Sequence, residues 1–248
     1  MLSRFLDFAA KERLFSTGSR LLLAVSGGID SMVMGWLVRE AGIEHSIAHC
    51  NFSLRGEESD ADEQYVKSWS QENSIPFYSR KFDTLGYANS HRISVQMAAR
   101  ELRYEWFRSL ILSEGFDSVA VAHNLNDNVE TFLINLTRGT GLTGLTGMSP
   151  RTGDIIRPLL FATRGEIESF ASGAGIGYRE DSSNSQVKYT RNRIRHMVIP
   201  EMEKVNPGIV HAITGQTQTV RQPLYVLFHG WIRKNPEELC LISVFLPL

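Results

Sequence analysis

Leu21-Leu22-Leu23-Ala24-Val25-Ser26-Gly27-Gly28-Ile29-Asp30-Ser31 is the stretch that decides the architecture. Its first five residues are apolar and partly β-branched, and Ser-Gly-Gly closes them, which reads as a buried strand running into a loop. From Asp30 to Glu40 the apolar positions Met32, Val33, Trp36, Leu37 and Val38 keep a helical period, with Gly42 placed as a stop. The alternation repeats. His45 to Cys50 is a second short apolar run, and Glu57 to Glu72 is a polar helix with Tyr65, Val66 and Trp69 on its inner face. Ile75 to Phe82 gives a third strand and Ser118 to Ala122 a fourth. Between them Ser94 to Leu112 is a helix whose Val95, Ala98, Ala99, Leu102, Trp106 and Leu110 recur every three or four residues.

Strands alternating with helices of this length imply right-handed βαβ units, hence an α/β fold with a parallel sheet covered by helices on both faces. Ligands in such sheets bind where strands end and helices begin. The polar clusters Ser26 to Ser31, His49 to Arg55 and His123 to Glu130 all fall at those ends.

In the first cluster, backbone N–H groups and the positive end of a helix dipole attract anions, two glycines permit close approach, and Ser26 and Ser31 add hydroxyl donors. Asp30 is the odd member, because a carboxylate beside bound phosphates repels them unless a cation such as Mg²⁺ bridges the two. Read alone, the loop also fits a tight Gly-Gly turn with Asp30 simply capping the helix. No Walker A run, Gly-x-x-x-x-Gly-Lys-Ser/Thr, occurs. Gly139-Thr140-Gly141-Leu142-Thr143-Gly144 satisfies Gly-x-Gly-x-x-Gly but follows an expected helix, Asp127 to Leu136, so it argues for a glycine-rich loop rather than a dinucleotide site.

The 248 residues suffice for one large domain with an appendage. Apolar residues at 42% and charged residues at 21% place the chain among ordinary globular proteins. A formal net charge of −1 gives no global basic field, so any RNA contact is local. The densest basic stretch is Lys188, Arg191, Arg193 and Arg195, which suits either a solvated face or a phosphate-rich partner. Cys50 and Cys240 form no Cys-x-x-Cys pair, so neither a disulfide framework nor a zinc site is written into the chain. Met1 to Arg20 lacks the apolar core of a signal peptide, and no run approaches the roughly 20 apolar residues that span a bilayer. A cytoplasmic protein with no membrane partner is the expectation.

Ser26-Gly27-Gly28-Ile29-Asp30-Ser31 resembles the Ser-Gly-Gly-x-Asp-Ser signature of the PP-loop, or N-type ATP pyrophosphatase, superfamily. The resemblance implies a Rossmann-like, adenine nucleotide alpha hydrolase-like fold that cleaves ATP between its α and β phosphates and passes AMP to a substrate oxygen. Within it, His123-x-x-x-Asp127-x-x-Glu130-Thr131, followed by Arg138-Gly139-x-Gly141-x-x-Gly144, resembles the tRNA(Ile)-lysidine synthetase family. So do His49 to Asp60, Ala99-Arg100-Glu101-Leu102-Arg103-Tyr104, an expected Arg157-Pro158-Leu159-Leu160 strand, Glu180 to Asn184 and Arg191-Asn192-Arg193-Ile194-Arg195. One departure is that Asn124 and Asn126 stand where members carry a second His and a second Asp, so no metal role is carried over to them. The likeness spans about residues 20 to 210 and fades after Gly215. That sets an expected catalytic domain of 1–215 and a C-terminal segment of 216–248, either a short form or a truncated remnant of the region that grips tRNA.

The family resemblance implies ligation of L-lysine to C2 of the wobble cytidine in a tRNA(Ile) bearing a CAU anticodon, with ATP and Mg²⁺. Ser26, Gly27, Gly28, Ile29, Asp30 and Ser31 would hold ATP. Asp30 and Asp127 would hold Mg²⁺. Asp30, Arg100, Asp127, Glu130, Arg193 and Arg195 would serve catalysis, and His49, Asn51, Arg55, Arg103, His123 and Arg191 substrate binding. A homodimer is a candidate state. The rival readings are a PP-loop tRNA thiolase, which generally needs paired cysteines or an iron–sulfur cluster, and an inactive nucleotide- or RNA-binding module.

Overall fold

The computed structural model describes residues 1–180, 190–217 and 219. Asp181 to Asn184 of the expected closing signature, Lys188 of the basic stretch and nearly all of 216–248 lie outside the described residues. The chain divides into two compact units, residues 1–123 with 154–181 and residues 124–153 with those from 182 onward.

The first unit holds α1 (Leu2–Lys11), β1 (Arg20–Ala24), α2 (Ile29–Glu40), β2 (Glu44–Asn51), α3 (Glu57–Glu72), β3 (Phe77–Lys81), α4 (Thr84–His91), α5 (Val95–Glu114) and β4 (Ser118–Val121). Beyond the second unit's α6 (Leu125–Thr137) and β5 (Arg151–Thr152) come β6 (Ile155–Ile156) and α7 (Arg164–Gly173). The strands of this unit run in the order β3-β2-β1-β4-β6, every neighbouring pair parallel. The chain builds outward from β1 to β3 and then returns to β1's other side for β4. This makes the β1/β4 gap the point where connections diverge, and the C-terminal ends of those strands the place for a ligand.

Alternation along β1 explains why both faces are covered. Leu21, Leu23 and Val25 cluster with Phe5 of α1, Met32 and Leu37 of α2 and Ile167 of α7, while Leu22 clusters with Trp106, Phe107 and Leu110 of α5. Each such buried aliphatic side chain contributes roughly 1.5–3 kcal/mol. Gly35 lets the Trp69 ring of α3 lie against α2, since a Cβ there would stand 2.9 Å from the ring. Trp36 meets Phe170 of α7 edge-on with centroids 5.3 Å apart. Ser94 caps α5 by accepting from Met97 N–H at 3.2 Å, and Gly115 ends it at a φ of +73°.

Two differences from the sequence reading have local causes. Residues 84–91 form α4, whose weak apolar period gives no warning; the helix is capped by Asp83, which accepts from Gly86 N–H at 2.9 Å. Arg157 to Leu160, expected as a strand, is a turn after β6. Pro158 has a fixed φ and no N–H to give a sheet ladder, so pairing stops at Ile156.

The second unit packs α6 with α8 (Thr190–Arg193), a π-helical stretch Ile194–Val198 and α9 (Ile199–Val205) through Leu125, Val129, Leu133, Ile194, Ile199, Val210 and Ile213. The Gly-x-Gly-x-x-Gly pattern does follow a helix, and its later part lies in a short 3-10 turn, Leu142–Thr146.

Candidate active site

Pairing of β1 reaches one residue past its regular end, because Val25 N–H donates to the Ala48 carbonyl at 3.0 Å. The chain then turns through Gly27 at a φ of +94°, a conformation that suits glycine, and α2 begins with Gly28 as its N-cap. Ser31 Oγ donates to the Gly28 carbonyl at 2.8 Å and accepts from Ser26 N–H at 3.2 Å. Ser26 Oγ lies 3.3 Å from Ser31 Oγ. The two serines therefore hold the loop's shape, with Ser26 Oγ also accepting from Gly28 N–H at 3.4 Å, and Gly28 as N-cap brings no side chain to the helix start. What remains on offer is a helix N-terminus with its dipole, at the end of a buried parallel strand.

Asp30 is the second residue of α2, and Arg164 Nη1 donates to its Oδ2 at 2.6 Å. Arg164 also pairs with Glu168 at 2.6 Å, so one guanidinium serves two carboxylates. Its place is set by a capping box, in which Thr163 Oγ1 accepts from Glu166 N–H and Glu166 Oε2 accepts from Thr163 N–H at 2.8 Å. Asp30 itself offers carboxylate oxygens, the hard ligand type that Mg²⁺ takes. Among the described residues no cluster of three or more metal-ligating side chains occurs.

The end of β2 is built differently. His49 is buried, its Nδ1 lies 2.9 Å from the Val25 carbonyl, and burial pushes its pKa below the ordinary histidine value. Asn51 is buried with its whole amide engaged: Nδ2 donates to Asp60 at 2.7 Å and Glu63 at 2.9 Å, and Oδ1 accepts from Ser53 N–H at 3.0 Å. Asn51 thus braces the turn after β2. Arg55 Nη2 donates to Asp62 Oδ2 at 2.7 Å, and Arg179 Nε donates to Asp62 Oδ1.

On α5, the Arg100 guanidinium carbon lies 4.9 Å from the Tyr104 ring centroid and that of Arg103 lies 5.2 Å from the Phe52 ring. Arg157 is buried; burial lowers its pKa and the Arg100 charge lowers it further, against an opposing contribution from Tyr104. His123 follows β4 and is half-buried.

In the second unit, Asn124 and Asp127 form the capping box that opens α6: Asp127 N–H donates to Asn124 Oδ1 at 3.1 Å, and Asn124 N–H donates to Asp127 Oδ2 at 3.0 Å. An asparagine suffices for that task, which gives Asn124 a local role. One turn on, Glu130 is fully buried. Arg195 Nε donates to its Oε1 at 2.5 Å and Nη2 to its Oε2 at 3.0 Å, and the same Nη2 reaches Asp127 Oδ1 at 3.1 Å. Arg191 donates to Thr131 Oγ1 at 2.9 Å and stands 3.4 Å from Glu130, while Arg193 is exposed. Burial drives the Glu130 pKa up, the Arg195 hydrogen bond pulls it down and the Asp127 charge raises it again. Asp127, Glu130, Arg191 and Arg195 are therefore brought together, with Glu130 buried, Asp127 half-buried and both accepting from Arg195.

The sequence reading missed Arg164, Asp62 and Arg179. The Thr163-x-x-Glu166 box would have placed Arg164 at a helix start. Nothing local marks the other two.

A family model described as a PP-loop domain matches residues 2–202. A tRNA(Ile)-lysidine synthase of Porphyromonas gingivalis is 46% identical over 205 residues, covering 82% of this chain and 45% of that protein. One from Parabacteroides distasonis is 44% identical over 231 residues, covering 92% and 52%, and one from Petrotoga mobilis 36% over 208 residues, covering 82% and 67%. The chain spans about half the length of the first of these relatives. Among solved structures, a U34-tRNA thiolase from Methanococcus maripaludis superposes with a TM-score of 0.71 at 20% identity, covering 89% of this chain and 79% of its own. An NMN synthetase from Francisella tularensis superposes at 0.55 and 11%, covering 89% and 94%. At such identities these two likenesses speak to the fold alone.

Proposed function

Because the chain belongs to the PP-loop family and stands within it among the tRNA(Ile)-lysidine synthases, we propose that it joins L-lysine to the wobble cytidine of a tRNA(Ile) with a CAU anticodon, using ATP. The product, lysidine, changes codon reading from AUG to AUA. The observation that carries the proposal is the 26–31 loop, with glycine at positive φ and an uncapped helix start at the end of β1, where the sheet order diverges.

Cytidine C2 bears a carbonyl whose oxide is a hopeless leaving group, so the oxygen must first be activated. Its attack on the α-phosphorus of ATP forms a C2–O–P link and releases pyrophosphate. The lysine ε-amine then forms the C2–N bond, the C2–O bond breaks with AMP leaving, and the amine loses its proton. The loop and the α2 N-terminus bind the pyrophosphate end. Asp30, with the phosphates, would hold Mg²⁺, which supplies charge neutralisation when bound. Asp127, half-buried, would serve as the second Mg²⁺ ligand or position the lysine amine, whereas Glu130, fully buried with both oxygens accepting from Arg195, holds that arginine in place. Arg100, Arg193 and Arg195 meet developing negative charge. His49, Arg55, Arg103, His123 and Arg191 serve the tRNA and nucleotide side, with Asn51 bracing that turn.

The thiolase alternative gains nothing from Cys50, the cysteine among the described residues, which is half-buried, has its pKa pushed up to about 12 by burial and would be a poor nucleophile. The test is incorporation of labelled lysine into isoleucine-type tRNA with a CAU anticodon, beside a methionine tRNA control. Label is expected only with ATP and only in the isoleucine tRNA, with one AMP and one pyrophosphate per lysine. Equal labelling of both tRNAs, or labelling without ATP, would overturn the proposal.

A further inference from the structure

The segment after α7 carries a tie to the phosphate loop that takes no part in the chemistry above. Arg179 N–H donates to the Gly27 carbonyl at 2.9 Å. The Arg179 side chain donates to Asp62 on α3, and the other oxygen of that carboxylate accepts from Arg55 at 2.7 Å. Asp62 is buried, whereas the Arg179 side chain is 39% exposed. Tyr65, nearly one turn further along α3, steadies the same segment, since a Cβ on Gly177 would lie 2.8 Å from its hydroxyl. Three stretches distant in sequence, after β2, on α3 and after α7, thus meet at the Asp62 carboxylate, and the last of them bonds Gly27.

The Gly27 carbonyl and the Gly28 N–H belong to a single planar peptide group and point in opposite directions, so holding the first aims the second. Gly27, without a Cβ and at a φ of +94°, is the residue of the loop with the most backbone freedom and the most need of an outside hold. Two guanidiniums on one carboxylate also leave a net positive charge beside the loop, which favours an anionic ligand there.

We propose that Arg179 is a positioning residue for the phosphate loop: clamped on Asp62, it fixes the Gly27 peptide and with it the Gly28 N–H, which makes a long 3.4 Å hydrogen bond to Ser26 Oγ, in the geometry the loop needs to hold the pyrophosphate portion of a nucleoside triphosphate. The proposal rests on the ATP reading of that loop. The experiment measures, with the full chain, calorimetric binding of ATP, inorganic pyrophosphate and AMP to the wild type and to Arg179→Met, Asp62→Asn and Arg179→Lys. Arg179→Met and Asp62→Asn are expected to weaken ATP and pyrophosphate about tenfold, a misplaced donor being costly, while AMP shifts by no more than about twofold. Arg179→Lys, which keeps one donor to Asp62, should fall between. A general loss of structure would weaken all three ligands alike, and that pattern, or unchanged pyrophosphate binding in Arg179→Met, overturns the proposal. Should Asp62→Asn fail to fold, the half-exposed Arg179→Met carries the test alone. A wild type that binds neither ATP nor pyrophosphate would instead overturn the ATP reading itself, and the role of Arg179 with it.

Discussion

At the scale of single residues, the most consequential group is Glu130, a carboxylate with no exposure whose oxygens are both taken by Arg195. Removing one partner of a buried pair strands the other charge, so Arg195→Met should destabilise the protein by about 3 kcal/mol at pH 7. Burial raises the folded-state pKa of Glu130, and loss of Arg195 would raise it further. A raised pKa gives stability that is present below the unfolded value and lost as pH rises through the folded one. The deficit of Arg195→Met should therefore shrink between pH 7 and pH 5, as urea unfolding at the two pH values will measure; a deficit that is constant or widens toward acid would remove Glu130 as its cause. The turn between β1 and α2 was legible because its serines and glycines lie within six consecutive residues. Arg164 and Arg179 were not, because their carboxylate partners lie 134 and 117 residues away and only folding brings them together.

At the scale of elements, α2 depends on two glycines for opposite reasons. Gly27 supplies a backbone angle that costs other residues roughly 1–2 kcal/mol, and Gly27→Ala should lose most ATP binding by equilibrium dialysis while remaining folded. Gly35 supplies space. Alanine there would gain about 1 kcal/mol in helix propensity but press on Trp69 at 2.9 Å, and overpacking typically costs about 1–3 kcal/mol. Gly35→Ala is expected to come out destabilised by about 1 kcal/mol in denaturant unfolding, with a shifted Trp69 fluorescence; a stabilised variant would mean that the ring moves freely. The sequence disclosed α2, α3 and α5 through apolar spacing, and β1, β2 and β4 through short apolar runs. It hid α4, whose only strong signal is the cap at Asp83, and it misread Arg157 to Leu160, where Pro158 outweighs the apolar Leu159 and Leu160.

For the whole molecule, a ligand that binds only the folded chain raises its stability by an amount set by mass action. Mg²⁺ and ATP at a hundred times the dissociation constant should add about 2.7 kcal/mol, read as a higher midpoint in thermal unfolding. Lysine alone should add less, and no shift with ATP would speak against the 26–31 loop as its site. The parallel α/β class was readable from the order of elements because helix-linked strands have few other ways to pair. The division into two units was not, because residues 124–153 interrupt the first unit in sequence with no change of composition to mark them.

The sheet of the first unit ends at β3, where Ser79, Arg80 and Lys81 are exposed and Lys81 reaches across to Asp60 at 2.7 Å. A terminal strand is the natural template for unwanted ribbon growth between molecules, and lysine and arginine at such a border resist it because an incoming chain would have to displace the water around long charged side chains. Replacing Arg80 and Lys81 with valine and threonine should leave folding intact and make concentrated solutions turn cloudy, a form of damage that no measurement at the nucleotide loop would register.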